Sequence, residues 1–175
     1  MQVVFIGNKF VPLERAAISV TDMVIWRGYG VTEVLRTYGG QPFALAEHLQ
    51  RLSRSLGLLE IPQLYSDRFI ERIIREGLKR FGGGREILIK ILVSGGPGYQ
   101  IMPDGKPELI LLFTVLKRPP ESDYRRGLRL VSKKFFPILP GAKTTNYLAA
   151  VLGHKQAKRQ GYDEPLFMDG KKNII

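Results

Sequence analysis

The sequence lacks several features that would point to a function directly. It contains no cysteine, which excludes disulfide bonds, a cysteine-ligated zinc site and a thiol nucleophile. No apolar run approaches the ~20 residues needed to cross a membrane. The N-terminal residues MQVVFI have neither the charged region nor the small-residue cleavage site of a signal peptide. We therefore expect a cytoplasmic location and no membrane partner.

Acidic residues are also scarce relative to basic ones. The chain has 16 acidic and 27 basic residues, for a formal net charge of +11, and clustered basic residues can bind the phosphates of a nucleic acid. Here they are spread along the chain, and neither a glycine-aromatic RNA-binding signature nor a helix-turn-helix pattern accompanies them. A nucleic-acid-binding module is therefore the less favoured alternative. Steeply salt-dependent binding to random duplex would support it.

Apolar periodicity predicts a mixed α/β (α+β) fold, with a small N-terminal domain that combines an antiparallel sheet with two helices. The strand at 86–94 is apolar almost throughout, so we expect it near the centre of the sheet. The predicted strands cover residues 2–6, 9–12, 31–38, 41–45, 86–94 and 107–116, and the predicted helices cover about 46–58 and, after Ser66 and Asp67, the residues to Phe81.

The segment 117–123, with sequence KRPPESD, is the best linker candidate in the chain. It is polar, charged and rich in proline, as boundaries between domains often are. We predict a small α/β domain at residues 1–120 and the beginning of a second, incomplete domain at residues 121–175.

Lys143 lies between a Pro140-Gly141 turn and a predicted helix. Thr144 or Thr145 can cap that helix, because a threonine hydroxyl accepts a hydrogen bond from an N–H of the first turn, and Gly161 is predicted to end it in a left-handed conformation. The positive end of a helix dipole disfavours a cation, and so favours the neutral amine that a nucleophile requires. The local pattern alone fits a surface lysine in a loop of a basic protein better.

Five segments of the sequence together resemble the class IV (fold type IV) pyridoxal-phosphate enzymes. This family contains branched-chain aminotransferases, D-amino-acid aminotransferases and aminodeoxychorismate lyases. The resemblance covers nearly the whole chain, and the FALAEHLQRL block is its more specific part in the N-terminal half. The segments are GYGVTEVLRTYGG at 28–40, FALAEHLQRL at 43–52, GLRL at 127–130, AKTTN at 142–146 and GYDEPL at 161–166.

The resemblance implies roles for residues that would hold the cofactor. Lys143 corresponds to the Schiff-base lysine, and Arg51 to the arginine that binds the cofactor phosphate. A guanidinium suits that dianion because it is always charged and can bind in a bidentate manner. Tyr147 is a candidate for a hydrogen bond near the cofactor, or else a core residue. His48, also part of the family motif, is interpreted as structural because no partner is evident.

The resemblance also places three candidates on the substrate side, namely Thr32, Arg36 and Lys90. Thr32 stands where many family members have a phenylalanine or tyrosine that lines the pocket, so the substrate assignment is open. Lys90 stands where family members often have an arginine, and a lysine that points to solvent at the rim of the sheet is an equally good interpretation.

The implied function is transfer of an amino group between an amino acid, of the branched-chain type, and a 2-keto acid, with pyridoxal 5'-phosphate as cofactor. Aminodeoxychorismate lyase, with the same cofactor and an elimination outcome, is the alternative within the family. A catalytically inactive fragment that serves as an interaction domain is a further alternative. Homodimers are usual in the family, so we expect self-association.

The resemblance predicts that the sequence is truncated at its C-terminus. Family chains continue well beyond this length, and they carry a glutamate that keeps the pyridine nitrogen protonated. The present sequence stops at Ile175, just before the position where that glutamate is expected. The electron-accepting role of the cofactor depends on such a partner.

Overall fold

An antiparallel sheet dominates the first part of the chain in the computed structural model, which describes residues 3–82, 84–171 and 173–174. The described strands of this sheet lie in the order β2-β1-β6-β5-β3-β4, so β5 is near the centre, as predicted. The strands are β1 (Val3–Ile6), β2 (Lys9–Pro12), β3 (Gly30–Tyr38), β4 (Gln41–Pro42), β5 (Ile87–Ser94) and β6 (Leu109–Val115).

Tight turns connect two of the strand pairs. Gly7 and Asn8, which join β1 to β2, have φ values of 58° and 60°, the left-handed pair that a two-residue hairpin requires. The return strand β4 is shorter than predicted, since it contains only Gln41 and Pro42. Proline cannot donate to a sheet, and Ala44 adopts a left-handed conformation directly before the next helix.

Two amphipathic helices cover one face of the sheet, as the periodicity predicts. They are α2 (Leu45–Leu58) and α3 (Asp67–Phe81), and they follow the short 3-10 turn Leu13–Arg15 and helix α1 (Met23–Arg27). The hydroxyl of Ser66 caps α3 by accepting the N–H of Phe69 at 3.2 Å. Alternate residues of β3, β5 and β6 point toward these helices and are buried, which places the core between the sheet and the helix pair.

The chain divides into two compact units. The first contains Met1–Leu116 and the short segment Gly141–Thr145, and the second contains Lys117–Pro140 and Asn146–Ile175. The candidate lysine therefore belongs to the first unit, although the residues on both sides of its segment belong to the second. The predicted domain boundary after residue 120 remains a prediction.

The second unit contains a strand-helix-strand arrangement. Strands β7 (Leu130–Lys134) and β8 (Glu164–Met168) are parallel, and helix α5 (Leu148–Arg159) connects them. Gly161 has a φ of 79° just after α5, so its predicted role at the helix end is confirmed.

The predicted linker is partly helical. Residues Glu121–Arg126 form the short helix α4, whereas the linker was expected to run to residue 123 without regular structure. Acidic residues in the first turn and arginines in the last turn both favour a helix here. Among the described residues, no helix is both long enough and apolar enough to span a membrane.

Candidate active site

The segment that carries Lys143 is bonded to the edge of β3. The N–H of Thr32 donates to the carbonyl of Lys143 at 2.9 Å, and the N–H of Thr145 donates to the carbonyl of Gly30 at 3.0 Å. Between them, Val31 and Thr144 form an antiparallel bridge. The backbone of the lysine segment is therefore held against β3.

A second attachment joins this segment to α2. The N–H of Lys143 donates to the hydroxyl of Ser55 at 3.0 Å. Ser55 is a buried residue of α2, four positions after Arg51 on the same helix. Residues four apart on a helix lie on the same face, about 5–6 Å apart between Cβ atoms. The backbone of Lys143 is thus fixed about one helical turn from Arg51.

The prediction that Thr144 or Thr145 caps a helix is wrong. Helix α5 begins at Leu148, with Tyr147 at its N-cap and no side-chain capping bond. The hydroxyl of Thr145 instead donates to the carbonyl of Gly28 at 2.7 Å. Because dipole effects fade within the first turn, Lys143 is too far from the start of α5 for the dipole argument to apply.

Arg51 is anchored by a carboxylate inside the core. Its Nε and Nη2 donate to the two oxygens of Glu33 at 2.6 and 2.7 Å, which is the bidentate geometry that orients a guanidinium. The Glu33 side chain is fully buried, whereas that of Arg51 is 44% exposed. The guanidinium is therefore aligned by a buried group and still accessible.

His48 completes this cluster, and the interpretation that it lacks a partner is wrong. Its Nδ1 lies 2.8 Å from Oε2 of Glu33. An ionised carboxylate only accepts hydrogen bonds, so Nδ1 carries the hydrogen. Burial raises the pKa of Glu33, but hydrogen bonds from Arg51 and His48 and the charges of both outweigh it, and the pKa lies below its ordinary value of 4.5.

Glu33 is a functional candidate that sequence reasoning missed. The alternation of β3 gives a usable signal, because residues 31, 33, 35 and 37 are buried and the residues between them are not. A carboxylate at a core position needs a charged or hydrogen-bonding partner. The HLQR segment of α2 supplies two such partners one helical turn apart.

The three candidates for the substrate side share the opposite face of the sheet. Thr32 and Arg36 occupy the outward positions of β3, and Lys90, which is exposed, lies directly across from Val34 between them. The hydroxyl of Thr32 donates to the carbonyl of Ile91 at 2.9 Å. The guanidinium of Arg36 lies 4.0 Å from the ring centroid of Tyr38.

The structure does not support the alternative interpretation of Tyr147 as a core residue. Tyr147 belongs to the second unit and caps α5 instead of lying inside it. Its side chain is 45% exposed. It is therefore not a buried core residue of that helix.

The residues present suit pyridoxal phosphate as a ligand. A primary amine and an anion-binding group are what such a cofactor requires, and the side chains of Lys143 and Arg51 have this chemistry. The hydrogen bond to Ser55 brings the backbone of the first within one helical turn of the second. The buried carboxylate of Glu33 orients the guanidinium of Arg51.

Comparison with known proteins decides the family. The sequence profile of Amino-transferase class IV matches residues 30–175. The chain belongs to the class IV aminotransferase family. The resemblance read from the sequence is confirmed, and so is the α/β fold class, because solved class IV structures superpose on the entire chain.

Several class IV relatives match over almost the full chain. A D-alanine aminotransferase of Staphylococcus haemolyticus is 32% identical over 95% of this chain and 60% of its own length. A Methanocaldococcus jannaschii protein with a provisional branched-chain-amino-acid aminotransferase name is 31% identical over 98% of this chain and 61% of its own length. The chain thus spans about 60% of the length of these curated relatives.

Solved class IV structures share the fold. A branched-chain amino acid aminotransferase of T.th., solved with pyridoxamine 5'-phosphate, has a TM-score of 0.87 and 27% identity, covering 98% of this chain and 61% of that one. A Mycobacterium tuberculosis hypothetical aminotransferase in its PLP-bound form has a TM-score of 0.85 and 19% identity, covering 100% of this chain and 65% of that one. At 19% identity, the second likeness supports the fold alone.

Proposed function

We propose that this chain forms part of a pyridoxal-phosphate-dependent aminotransferase that moves an amino group between an amino acid, of the branched-chain type, and a 2-keto acid. The observation that carries the proposal is the fixation of Lys143 both to β3 and to the helix that bears Arg51. The related T.th. branched-chain enzyme, solved with pyridoxamine 5'-phosphate, supports the choice of cofactor and reaction.

The cofactor side of the site is assigned to three residues. The Nζ of Lys143 would hold the cofactor covalently and, as a free amine, would move the proton at the substrate Cα. Arg51 binds the phosphate with its guanidinium, and Tyr147 contributes a hydrogen bond near the cofactor. When bound, pyridoxal phosphate supplies an aldehyde carbon that takes the amino group and a ring that accepts the electron pair left at Cα.

The substrate side is assigned to Thr32, Arg36 and Lys90. They share one face of the sheet, and the two cations suit the carboxylate that amino acids and 2-keto acids have in common. Thr32 leaves more room than an aromatic residue would at the same position, and this favours a branched aliphatic side chain. D-alanine aminotransferases are equally similar relatives, so the type of amino acid is the point that product analysis must decide.

We also propose two features of the organisation of the chain. The first is a domain boundary after residue 120, and the second is assembly as a homodimer. Limited proteolysis tests the boundary, because cleavage should concentrate in the segment before Glu121, which has no regular secondary structure. Sedimentation at several concentrations tests the dimer, and a monomer at all of them would contradict it.

The decisive experiment is covalent trapping. The protein is incubated with pyridoxal phosphate, reduced with borohydride, and mapped by mass spectrometry of its peptides. We expect one phosphopyridoxyl group on Lys143, and none in a Lys143→Arg variant, which keeps the charge but has no primary amine. Label scattered over surface lysines in both proteins would contradict the proposal.

Product analysis then separates the reactions. Conversion of 2-ketoglutarate to glutamate with L-leucine as donor supports the branched-chain assignment, and conversion with D-alanine supports the D-amino-acid type. Release of pyruvate from aminodeoxychorismate would identify a lyase instead.

A further inference from the structure

Ser55 is a polar residue in the apolar surface of α2. It is 1% exposed and lies between Leu52 and Leu56, which are also buried. Burying a hydroxyl is costly unless it forms a hydrogen bond, and serine is a weaker helix former than alanine. Helix formation and core packing therefore give no reason for a serine here, and the contact with Lys143 does.

The contact fixes one side of the Lys143 backbone. Ser55 accepts the N–H of Lys143 at 3.0 Å, and Thr32 donates to the carbonyl of Lys143 at 2.9 Å. Each bond orients one of the two peptide planes that meet at the Cα of Lys143, and peptide units are planar. With both planes oriented, the direction in which the side chain leaves the backbone is set.

Thr32, the other partner of the Lys143 backbone, belongs to β3. Ser55 belongs to α2, the helix that carries Arg51. A hydrogen bond to β3 alone would fix Lys143 relative to the strand. The bond to Ser55 fixes it relative to α2, one helical turn from the backbone of Arg51, whose guanidinium Glu33 orients. The separation between an amine and an anion clamp decides whether both can reach one ligand.

We propose that Ser55 is a positioning residue that holds Lys143 at the correct distance from Arg51. This inference rests on the proposed function of Lys143. Ser55 does not touch the ligand. Its hydroxyl acts by accepting the backbone N–H of Lys143.

The test compares Ser55→Ala with the unchanged protein, in the full chain. The first readout is hydrogen exchange of the Lys143 amide, which we expect to speed up about tenfold or more once its acceptor is gone. The second is the rate at which Lys143 forms a borohydride-trapped adduct with pyridoxal phosphate. We expect it to fall roughly 10- to 100-fold, because small misplacements of a reacting group have effects of this size.

Two control variants separate positioning from folding. Ser53→Ala removes a hydroxyl on the same helix that bonds to Gln63 and should change neither rate. Ser55→Thr keeps a hydroxyl and should restore slow exchange and fast adduct formation. Thermal unfolding of every variant shows whether a change in either rate reflects global stability. If Ser55→Ala is unfolded, Ser55→Cys takes its place, because its thiol is close in size to the hydroxyl but accepts hydrogen bonds only weakly; the same changes in both rates are expected.

The outcomes of the two readouts are distinct. Unchanged amide exchange in Ser55→Ala would overturn the hydrogen bond and the proposal with it. Faster exchange with unchanged adduct formation would overturn the positioning role and leave a structural one. Absence of an adduct on Lys143 in the unchanged protein would overturn the proposed function, and the positioning role would fall with it. The amide exchange would still report on the bond to Ser55.

Discussion

Glu33 illustrates how one residue can connect stability to the candidate site. Its side chain is fully buried, and both oxygens are bonded to Arg51 and one to His48. Removing one member of a buried ion pair leaves the others without compensation. The partial exposure of Arg51 limits the loss of stability when Glu33 is removed, because water can solvate the guanidinium.

We predict that Glu33→Gln lowers the free energy of unfolding by about 1–3 kcal/mol. The amide keeps the volume of the side chain but provides only one acceptor for Arg51 and His48. Urea denaturation followed by circular dichroism measures the effect. The matched control is Glu71→Gln, which breaks an exposed pair with Arg75 and should cost less than about 0.5 kcal/mol. Equal effects of the two variants would contradict the role of burial.

The same carboxylate should make stability depend on pH. The pKa of Glu33 is lower in the folded chain than its ordinary value of 4.5, so the unfolded state binds more protons between the two values. The stabilisation is fully present above pH 4.5 and is lost as the pH falls through the folded pKa. We expect the stability difference between the unchanged protein and Glu33→Gln to shrink over that acidic range. A difference independent of pH would refute this.

At the scale of elements, the close approach of α3 to the sheet depends on a missing side chain. A Cβ placed on Gly77 would lie 2.2 Å from the ring of Phe113 on β6. Phe113 is fully buried, so its ring cannot move aside without disturbing the core. The glycine therefore sets how near the helix lies to the strand.

Gly77→Ala should reduce the free energy of unfolding by about 1–3 kcal/mol, because the added methyl overpacks the core. Gly57→Ala is the control, since a Cβ there meets nothing within 4 Å. That variant should be neutral or stabilising by about 0.5 kcal/mol, because alanine restricts the unfolded chain. Denaturant midpoints of both variants against the unchanged protein decide between these outcomes.

The strands, helices and turns could be predicted from the sequence where residues close together in the chain determine them. The strands on either side of the Gly7-Asn8 turn, the start of α3 after Ser66 and the end of α5 at Gly161 all depend on residues close in sequence, and all were predicted correctly. The failures involve distant partners. Thr145 bonds to Gly28 instead of capping a helix, because a backbone carbonyl just before β3 is available to it. No local pattern contains that information.

In the candidate site too, local sequence patterns predicted some residues, whereas contacts between distant residues were missed. Lys143, Arg51 and the outward residues of β3 could be named from motif resemblance, and their assigned roles remain predictions. The contacts of Glu33 with α2 and of Ser55 with Lys143 join residues that only the fold brings together. Glu33 could have been found from the alternation of β3, whereas Ser55 gives no signal beyond a serine beside two leucines.

At the scale of the whole molecule, some of the 27 basic residues are paired with acidic residues within helices. On α3, Arg75 pairs with Glu71 and Arg80 pairs with Glu76, each at 2.6 Å and four residues apart. Such pairs are typical of a solvated helix face. These two arginines are therefore paired without a nucleic-acid partner.

The insertion of residues 141–145 into the first unit also has a consequence for how the chain folds. The bond from Lys143 to Ser55 spans 88 residues, and that from Thr145 to Gly28 spans 117. Contacts between such distant residues require closure of long loops and slow the folding of a chain. The strands and helices made by the first 116 residues can assemble earlier.

We therefore expect the lysine segment to dock late during refolding. The amides paired between β5 and β6 should become protected before the amide of Thr32 is protected by its bond to Lys143. Pulse-labelling hydrogen exchange during refolding measures both, and simultaneous protection would contradict the order. A newly made chain would then hold a nearly complete sheet for some time before Lys143 reaches β3.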